Sequence, residues 1–228
     1  MPSTSRSNQI TQSLIYHVIN RGNARSAIYH EAEDFERFIG ILVAYSAEFG
    51  VKVYHWVLMP NHFHLLLELA VPKVLSRIMA GIARSYVHYH HRKYKSSGHL
   101  FQGRFKSQAV DKELYMLTCG RYIERNPVKA GLIKSAQQYQ YSSAAYYCLG
   151  RSDSLTSEDP NYQSFGSDNR QRQEKYGLFL EEFNSDEDRP FSNLEDPLGS
   201  QEFVRRLTKE RGIFVPRNGR PRKQKVYS

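Results

Sequence analysis

A chain of 228 residues with 40% hydrophobic side chains has enough apolar content for one ordinary domain plus an extension. No apolar run approaches the roughly twenty residues of a membrane span, and Met1 to Gln9 is polar with no apolar signal core, so the sequence predicts a cytoplasmic protein. Net charge is +9 over residues 1–150, −8 over 151–204 and +8 over 205–228, which fits a polyanion-binding body with an auxiliary arm or a merely solvated basic surface.

Leu14 to Ile19 reads as a first strand, closed by Arg21-Gly22-Asn23. From Glu31 to Phe49, apolar residues at Phe35, Phe38, Ile39, Leu42, Val43 and Phe49 have helical spacing, and Gly50 is a stop signal. Val51 to Leu58 and His62 to Leu69 read as two strands joined by the turn Met59-Pro60-Asn61, an antiparallel hairpin. A second helix is predicted after Val71-Pro72 toward His91, with Leu75, Ile78, Met79, Ile82 and Tyr86 as its buried stripe. A short strand over Ser107 to Val110 follows, and Asp111 opens a third helix that ends before Asn126-Pro127. The order strand, helix, strand, strand, helix, strand predicts an α+β protein with a ferredoxin-like split β-α-β antiparallel sheet. Beyond Gly150 the composition turns acidic and polar, so the chain divides into a body (1–150), an acidic polar connector (151–204) and a basic tail (205–228). Gln201 to Arg211 is expected to form a short helix with Phe203, Val204 and Leu207.

His62-Phe63-His64 lies inside an apolar strand. Side chains alternate faces, so the two imidazoles point the same way, about 7 Å apart, and can converge on one cation. An isolated His-x-His equally fits two histidines on a solvent-facing strand. Tyr115 falls in the first turn of the third helix, with Cys119 one turn on and Tyr122 near the next. With a polarised phosphate or a nearby base, a tyrosine hydroxyl there would attack phosphorus; the alternative is a packing aromatic. Cys119 and Cys148 are too few for a disulfide framework. His55 is read as structural rather than as a ligand.

Between Arg77 and Lys112 stand eight basic residues against the single acid Asp111, interleaved with Tyr86, Tyr89, Tyr94, Phe101 and Phe105. Cations that track phosphates, among aromatics that stack on bases, suit single-stranded nucleic acid. The candidates are Arg84, Arg92, Lys93, Lys95, Arg104 and Lys106, with Arg220 and Arg222 of the tail. Gly219-Arg220-Pro221 resembles a minor-groove AT-hook core, though phosphate contact alone also accounts for it.

Four segments carry a resemblance. Met59-Pro60-Asn61-His62-Phe63-His64-Leu65-Leu66, Gly98 to Phe105, Arg121 to Leu132 and Tyr141 to Tyr146 occur in this order. Together they resemble the single-tyrosine transposases with a His-hydrophobic-His motif, in particular the REP-associated tyrosine transposases, over roughly residues 12–150. That resemblance implies His62 and His64 as metal ligands on a central strand and Tyr115, which precedes the Arg121–Leu132 block, as nucleophile; Tyr122 is the next candidate. It implies cleavage of single-stranded DNA near a hairpin through a 5′-phosphotyrosine, rejoining by the reverse reaction, Mg2+ or Mn2+ as cofactor, and neither a nucleotide cofactor nor a membrane. A monomer is favoured. Related insertion-sequence transposases place a Gln one turn after the tyrosine as third ligand. Cys119 stands there instead, leaving water, Glu68 or Asp111 to complete the shell. The competing readings are a non-catalytic DNA or RNA hairpin-binding module and a nuclease that uses water as nucleophile.

Overall fold

Ile15–Arg21 forms β1, whose alternating side chains serve two different layers of the protein. In the computed structural model, which describes residues 15–182, 185–192, 194 and 196–211, β1 pairs antiparallel with β3 (His62–Glu68) and with β4 (Lys106–Ala109). On the far side of β3 lies β2 (Lys52–Met59), giving the antiparallel order β2-β3-β1-β4. The crossovers are α1 (Ala32–Phe49) and α2 (Leu75–Tyr94). This is the split β-α-β arrangement read from the pattern of elements.

Local signals account for the helix ends. The Glu31 and Asp34 side chains close a capping box on α1, and Gly50, at φ 63°, ends it in the left-handed conformation that glycine adopts without strain. The stripe Leu75, Ile78, Met79, Ile82 and Tyr86 of α2 is buried. Together α1 and α2 cover one face of the sheet, packing Phe38, Leu42, Ile78, Ile82 and Tyr86 against Val18, Phe63, Leu65 and Leu67.

The opposite face receives α3 (Met116–Glu124), whose Met116, Cys119 and Ile123 pack on Ile15, Val57, Met59 and Leu66. The helix starts five residues later than its predicted opening at Asp111. That carboxylate instead accepts hydrogen bonds from the Glu113 and Ser200 backbone N–H groups, and the chain turns before the helix begins. Pro127 sits in the first turn of the short α4 (Asn126–Lys129).

A bulge in β2 determines how α3 is held. Val53 pairs with Leu67 and His55 with Leu66, so Tyr54 is an extra residue. Tyr54 and His55 therefore both reach the α3 side, whereas strict alternation would separate them. His55 is fully buried between two carboxylates, with Nδ1 2.9 Å from Glu124 of α3 and Nε2 3.1 Å from Asp159. Ser143 and Tyr176 donate to the same Glu124 carboxylate, and the Tyr147 ring stacks on the imidazole at 4.6 Å. Gly120 leaves room for the ring: a Cβ there would lie 2.6–2.7 Å from three of its atoms.

Residues 151–204, expected as a polar connector, carry helices and core side chains. With α5 (Ala144–Leu149), the 3-10 segment Pro160–Phe165 and α6 (Asn169–Glu181) enclose a third cluster of Tyr147, Tyr162, Tyr176 and Leu180. Beyond them, α7 (Ser185–Ser192) and α8 (Gln201–Arg211) follow. Phe191 and Leu198 join the α3-side core, and Phe203 and Leu207 the α1/α2-side core. The segment's charge sits on surfaces while a few aromatic and aliphatic side chains anchor it. Later backbone also covers both sheet edges. Along β2, Leu58 N–H donates to Tyr141, Ser143 N–H to Trp56 and Ser157 N–H to Val53; along β4, Leu198 donates to Ala109 and Asp111 to Leu198. Among the described residues, no helix is long and apolar enough to cross a membrane.

Two outcomes follow from this packing. Leu207→Ala should lower the free energy of unfolding by about 2–5 kcal/mol, read by urea denaturation; an unchanged midpoint would show that α8 does not contribute to the core. The second concerns His55. Burial alone would lower its pKa, but Glu124 and Asp159 outweigh that and hold it at about 9, above the free value of 6.5. A raised folded-state pKa gives stability that is fully present below pH 6.5 and lost as pH rises through 9. Unfolding free energy should therefore fall by roughly 3 kcal/mol across that window, with the slope flattened in His55→Gln. A wild-type profile level from pH 6.5 to 9 would contradict the buried imidazolium.

Candidate active site

Residues paired directly across an antiparallel sheet share a face. The register therefore lines up Val57, His64, Ile19 and Lys106 in one row, and Met59, His62 and Arg21 in the next. Since Phe63 and Leu65 belong to the α1/α2 side, His62 and His64 face α3, with His64 buried and His62 partly open. Each ring has one nitrogen engaged. His62 Nδ1 lies 2.6 Å from Asn61 Oδ1, and Asn61 is oriented by its own Nδ2 donating to the Arg25 carbonyl. Asn61 Oδ1 only accepts, so His62 donates from Nδ1 and presents Nε2 as a lone pair. His64 Nδ1 lies 2.8 Å from Nε2 of His17, a buried histidine of β1. Burial, with the Arg21 guanidinium adding to it, lowers the His62 pKa to about 4. Burial also pushes His64 well below its ordinary value, and His17, His62 and Lys129 push the same way. Both rings are neutral at physiological pH, the form in which imidazole binds a cation.

Tyr122, on the inward face of α3, completes the group. Its ring stands edge-on 5.8 Å from His64 and 5.9 Å from His17. Burial, then Cys119 and Asp188, raise its phenol to about 12. The Lys129 ammonium lies 4.5 Å from the ring centroid and is ion-paired with Asp188 of α7, while Phe191 of α7 packs on the same ring at 5.4 Å. Tyr115 occupies the N-cap position of α3, about 10 Å earlier along the axis. It is half-buried against the α3-side core, and its side chain has no hydrogen bond or ring contact among the described residues. The structure thus brings Tyr122, and not Tyr115, against the histidines. The two share a helix face, so spacing alone does not distinguish them; the height at which α3 crosses the sheet does.

The expected completions of a metal shell lie elsewhere. Cys119 is fully buried in the apolar core, and burial raises its thiol well above the ordinary range. Glu68 is at the other end of β3, hydrogen-bonded by Tyr54, and Asp111 anchors the turn before α3. Among the described residues, no third His, Cys, Asp or Glu joins the pair as a metal-binding cluster. Asn126, one turn after Tyr122, donates from Nδ2 to the Tyr122 and Ile123 carbonyls, which leaves its amide oxygen as a hard donor.

The basic residues separate into two groups. Lys106 is exposed in the row of His64, and Arg104 is exposed on the loop that joins the end of β1, where Gln102 accepts from Arg21. Arg84 and Arg92 on α2, and Lys95 at its C-cap, are exposed across the sheet from the histidines. Lys93 is held by Glu31, Glu33 and Asp34, so its charge is largely neutralised locally. Arg220 and Arg222 lie outside the described residues. His17 and Arg21 share the parity of Ile19 on β1, a signal present in the sequence, whereas only the fold brings Lys129 and Asp188 beside Tyr122.

Comparison with known proteins bears on this arrangement. A family model described as IS200-like transposase matches residues 10–126. Among solved structures, the chain is similar to a REP-associated tyrosine transposase bound to a REP hairpin. The two share 19% identity and a TM-score of 0.52, over 66% of this chain and 88% of that one. It is also similar to a putative transposase from Deinococcus radiodurans R1, with 22% identity and a TM-score of 0.37, over 49% of this chain and 89% of the other. A search of curated proteins returned no match. At such identity the first structure shows a shared fold.

Proposed function

Because the chain belongs to the family of IS200-like transposases, we propose that it cuts single-stranded DNA beside a hairpin through a covalent bond to Tyr122 and joins strands by the reverse reaction. The observation that carries this reading is the Tyr122 ring set edge-on against His64 and His17, next to a histidine pair facing the same side of the sheet. The hairpin enters by extension from the fold neighbour, which was solved bound to one.

The residues present suit a divalent cation. His62 and His64 offer neutral imidazoles, the Asn126 amide oxygen stands one turn after Tyr122, where related transposases carry a Gln, and water or phosphate oxygens fill the remaining positions. Bound there, Mg2+ or Mn2+ would polarise the scissile phosphate.

The chain's own groups do the rest. Tyr122 Oη attacks phosphorus, the bond to the 3′ oxygen breaks, the phenol gives up its proton and the 3′ oxygen gains one. A 5′-phosphotyrosine and a free 3′-hydroxyl result. The phosphodiester is exchanged and not hydrolysed, so no nucleotide is consumed. A phenol raised to about 12 is protonated at rest, and the Lys129 ammonium over its ring is paired with Asp188. Arg21, Arg104 and Lys106, on or next to the histidine face, hold phosphates of the strand at the site, while Arg84, Arg92 and Lys95 meet flanking DNA on the α2 side.

With a labelled single-stranded hairpin substrate, wild type and Tyr115→Phe should both yield a covalent protein–DNA adduct, and Tyr122→Phe should lose it by roughly 10³-fold or more while still binding DNA. An adduct in Tyr122→Phe, or its loss in Tyr115→Phe alone, would move the nucleophile. His62→Ala, His64→Ala and excess chelator should each abolish cleavage with hairpin binding retained. Full cleavage in any of these three would remove the cation from the reaction.

A further inference from the structure

His17 has no assigned role, and its surroundings ask for one. It lies on β1 diagonally across from His64, since His64 pairs with Ile19 and Leu66 with His17. The two rings are nearly parallel, with centroids 5.1 Å apart and an interplanar angle of 21°. They share the 2.8 Å contact between His17 Nε2 and His64 Nδ1. The other nitrogen of His17, Nδ1, is buried and has no hydrogen-bond partner among the described residues.

Two neutral imidazoles joined by one hydrogen bond have two arrangements. In one, His64 donates from Nδ1, His17 accepts at Nε2 and carries its own proton on Nδ1, and His64 Nε2 is a lone pair. In the other, His17 donates from Nε2, His64 carries its proton on Nε2, and His64 has no lone pair left for a cation. His62 has no such choice, because its partner Asn61 Oδ1 only accepts and Asn61 is itself fixed by Arg25. One imidazole of the pair is preset and the other depends on its neighbour.

We propose that His17 is the positioning residue of this site: by accepting the Nδ1 proton of His64 it selects the tautomer that presents Nε2 beside Nε2 of His62. The inference rests on the reading of His62 and His64 as cation ligands. Hydrogen bonding of the remote nitrogen is how proteins set the tautomer and orientation of a ligating histidine, and removing such a partner weakens metal binding by about 10–100-fold. A packing role for His17 would instead be met by any apolar ring of similar size.

The test uses the full chain, Mn2+ binding by calorimetry, and long-range 1H–15N spectra of the histidines with saturating Mg2+. His17→Phe should weaken Mn2+ binding by about 10–100-fold, and His17→Gln, which keeps an acceptor near the Nε2 position, should recover most of it. In the wild-type protein the His64 proton should reside on Nδ1 when Mg2+ is bound. His64 protonated on Nε2 in that spectrum would overturn the proposal without any substitution, which covers the event that His17→Phe fails to fold. Wild-type Mn2+ affinity in His17→Phe would also overturn it while leaving the cation site intact. No Mn2+ binding by the wild-type protein would overturn the cation reading, and this inference with it.

Discussion

An imidazolium held between two carboxylates in the interior is the contact on which this architecture turns. His55 comes from the bulged strand β2, Glu124 from the helix that carries Tyr122, and Asp159 from the acidic segment 151–204. Uncompensated, any one of these charges would be expensive to bury. Together, with Ser143 and Tyr176 filling the remaining positions on Glu124, they fix three distant stretches against one another. The bulge at Tyr54 turns His55 toward α3, and Gly120 gives its ring room there. The position of Tyr122, two residues before Glu124, is thus set from outside the histidine site.

Around the histidines the same economy of polar groups prevails. His17, His62 and His64 are neutral, and the cations nearby are Arg21 and Lys129. A site without fixed negative charge on its floor, rimmed by positive charge, attracts anions. The carboxylate close to Tyr122 belongs to Asp188, and it is already committed to Lys129. Phe191 holds α7 on the tyrosine ring, so the acidic segment 151–204 forms one wall of the site.

Much of this was legible in the sequence, and the unread part shares a cause. Period-two and period-3.6 patterns located β1 to β4, α1 and α2 to within a few residues, because those elements each bury one regular face. The His-x-His pair on one side of a strand followed from the same alternation. The choice between Tyr115 and Tyr122 did not, because residues seven apart lie on one helix face and only the crossing of α3 over β3 decides which ring meets His64. His55 read correctly as structural, but Asp159 gave no hint of being its partner. Residues 151–204 misled by composition: side chains such as Tyr162, Tyr176, Phe191 and Leu198, spread among many polar ones, are enough to fix the segment. Lys93 misled by charge, because its acidic neighbours arrive from α1 through the fold and not along the chain.

The backbone bonds that later segments make to the outer strands have a bearing on the chain's behaviour at high concentration. A strand at the margin of a sheet is a template: its outward N–H and C=O groups will pair with any extended peptide that reaches them, including another copy of the same sequence. Here residues 141–143 and 157 already take up those groups along β2, and residue 198 does so at the end of β4, itself only four residues long. A chain cut before Tyr141 would expose a β2 of eight residues, seven of them buried in the intact protein, as an open margin. The chain beyond β4 therefore acts as selvedge to the sheet, the woven border that keeps a fabric from unravelling into its neighbour.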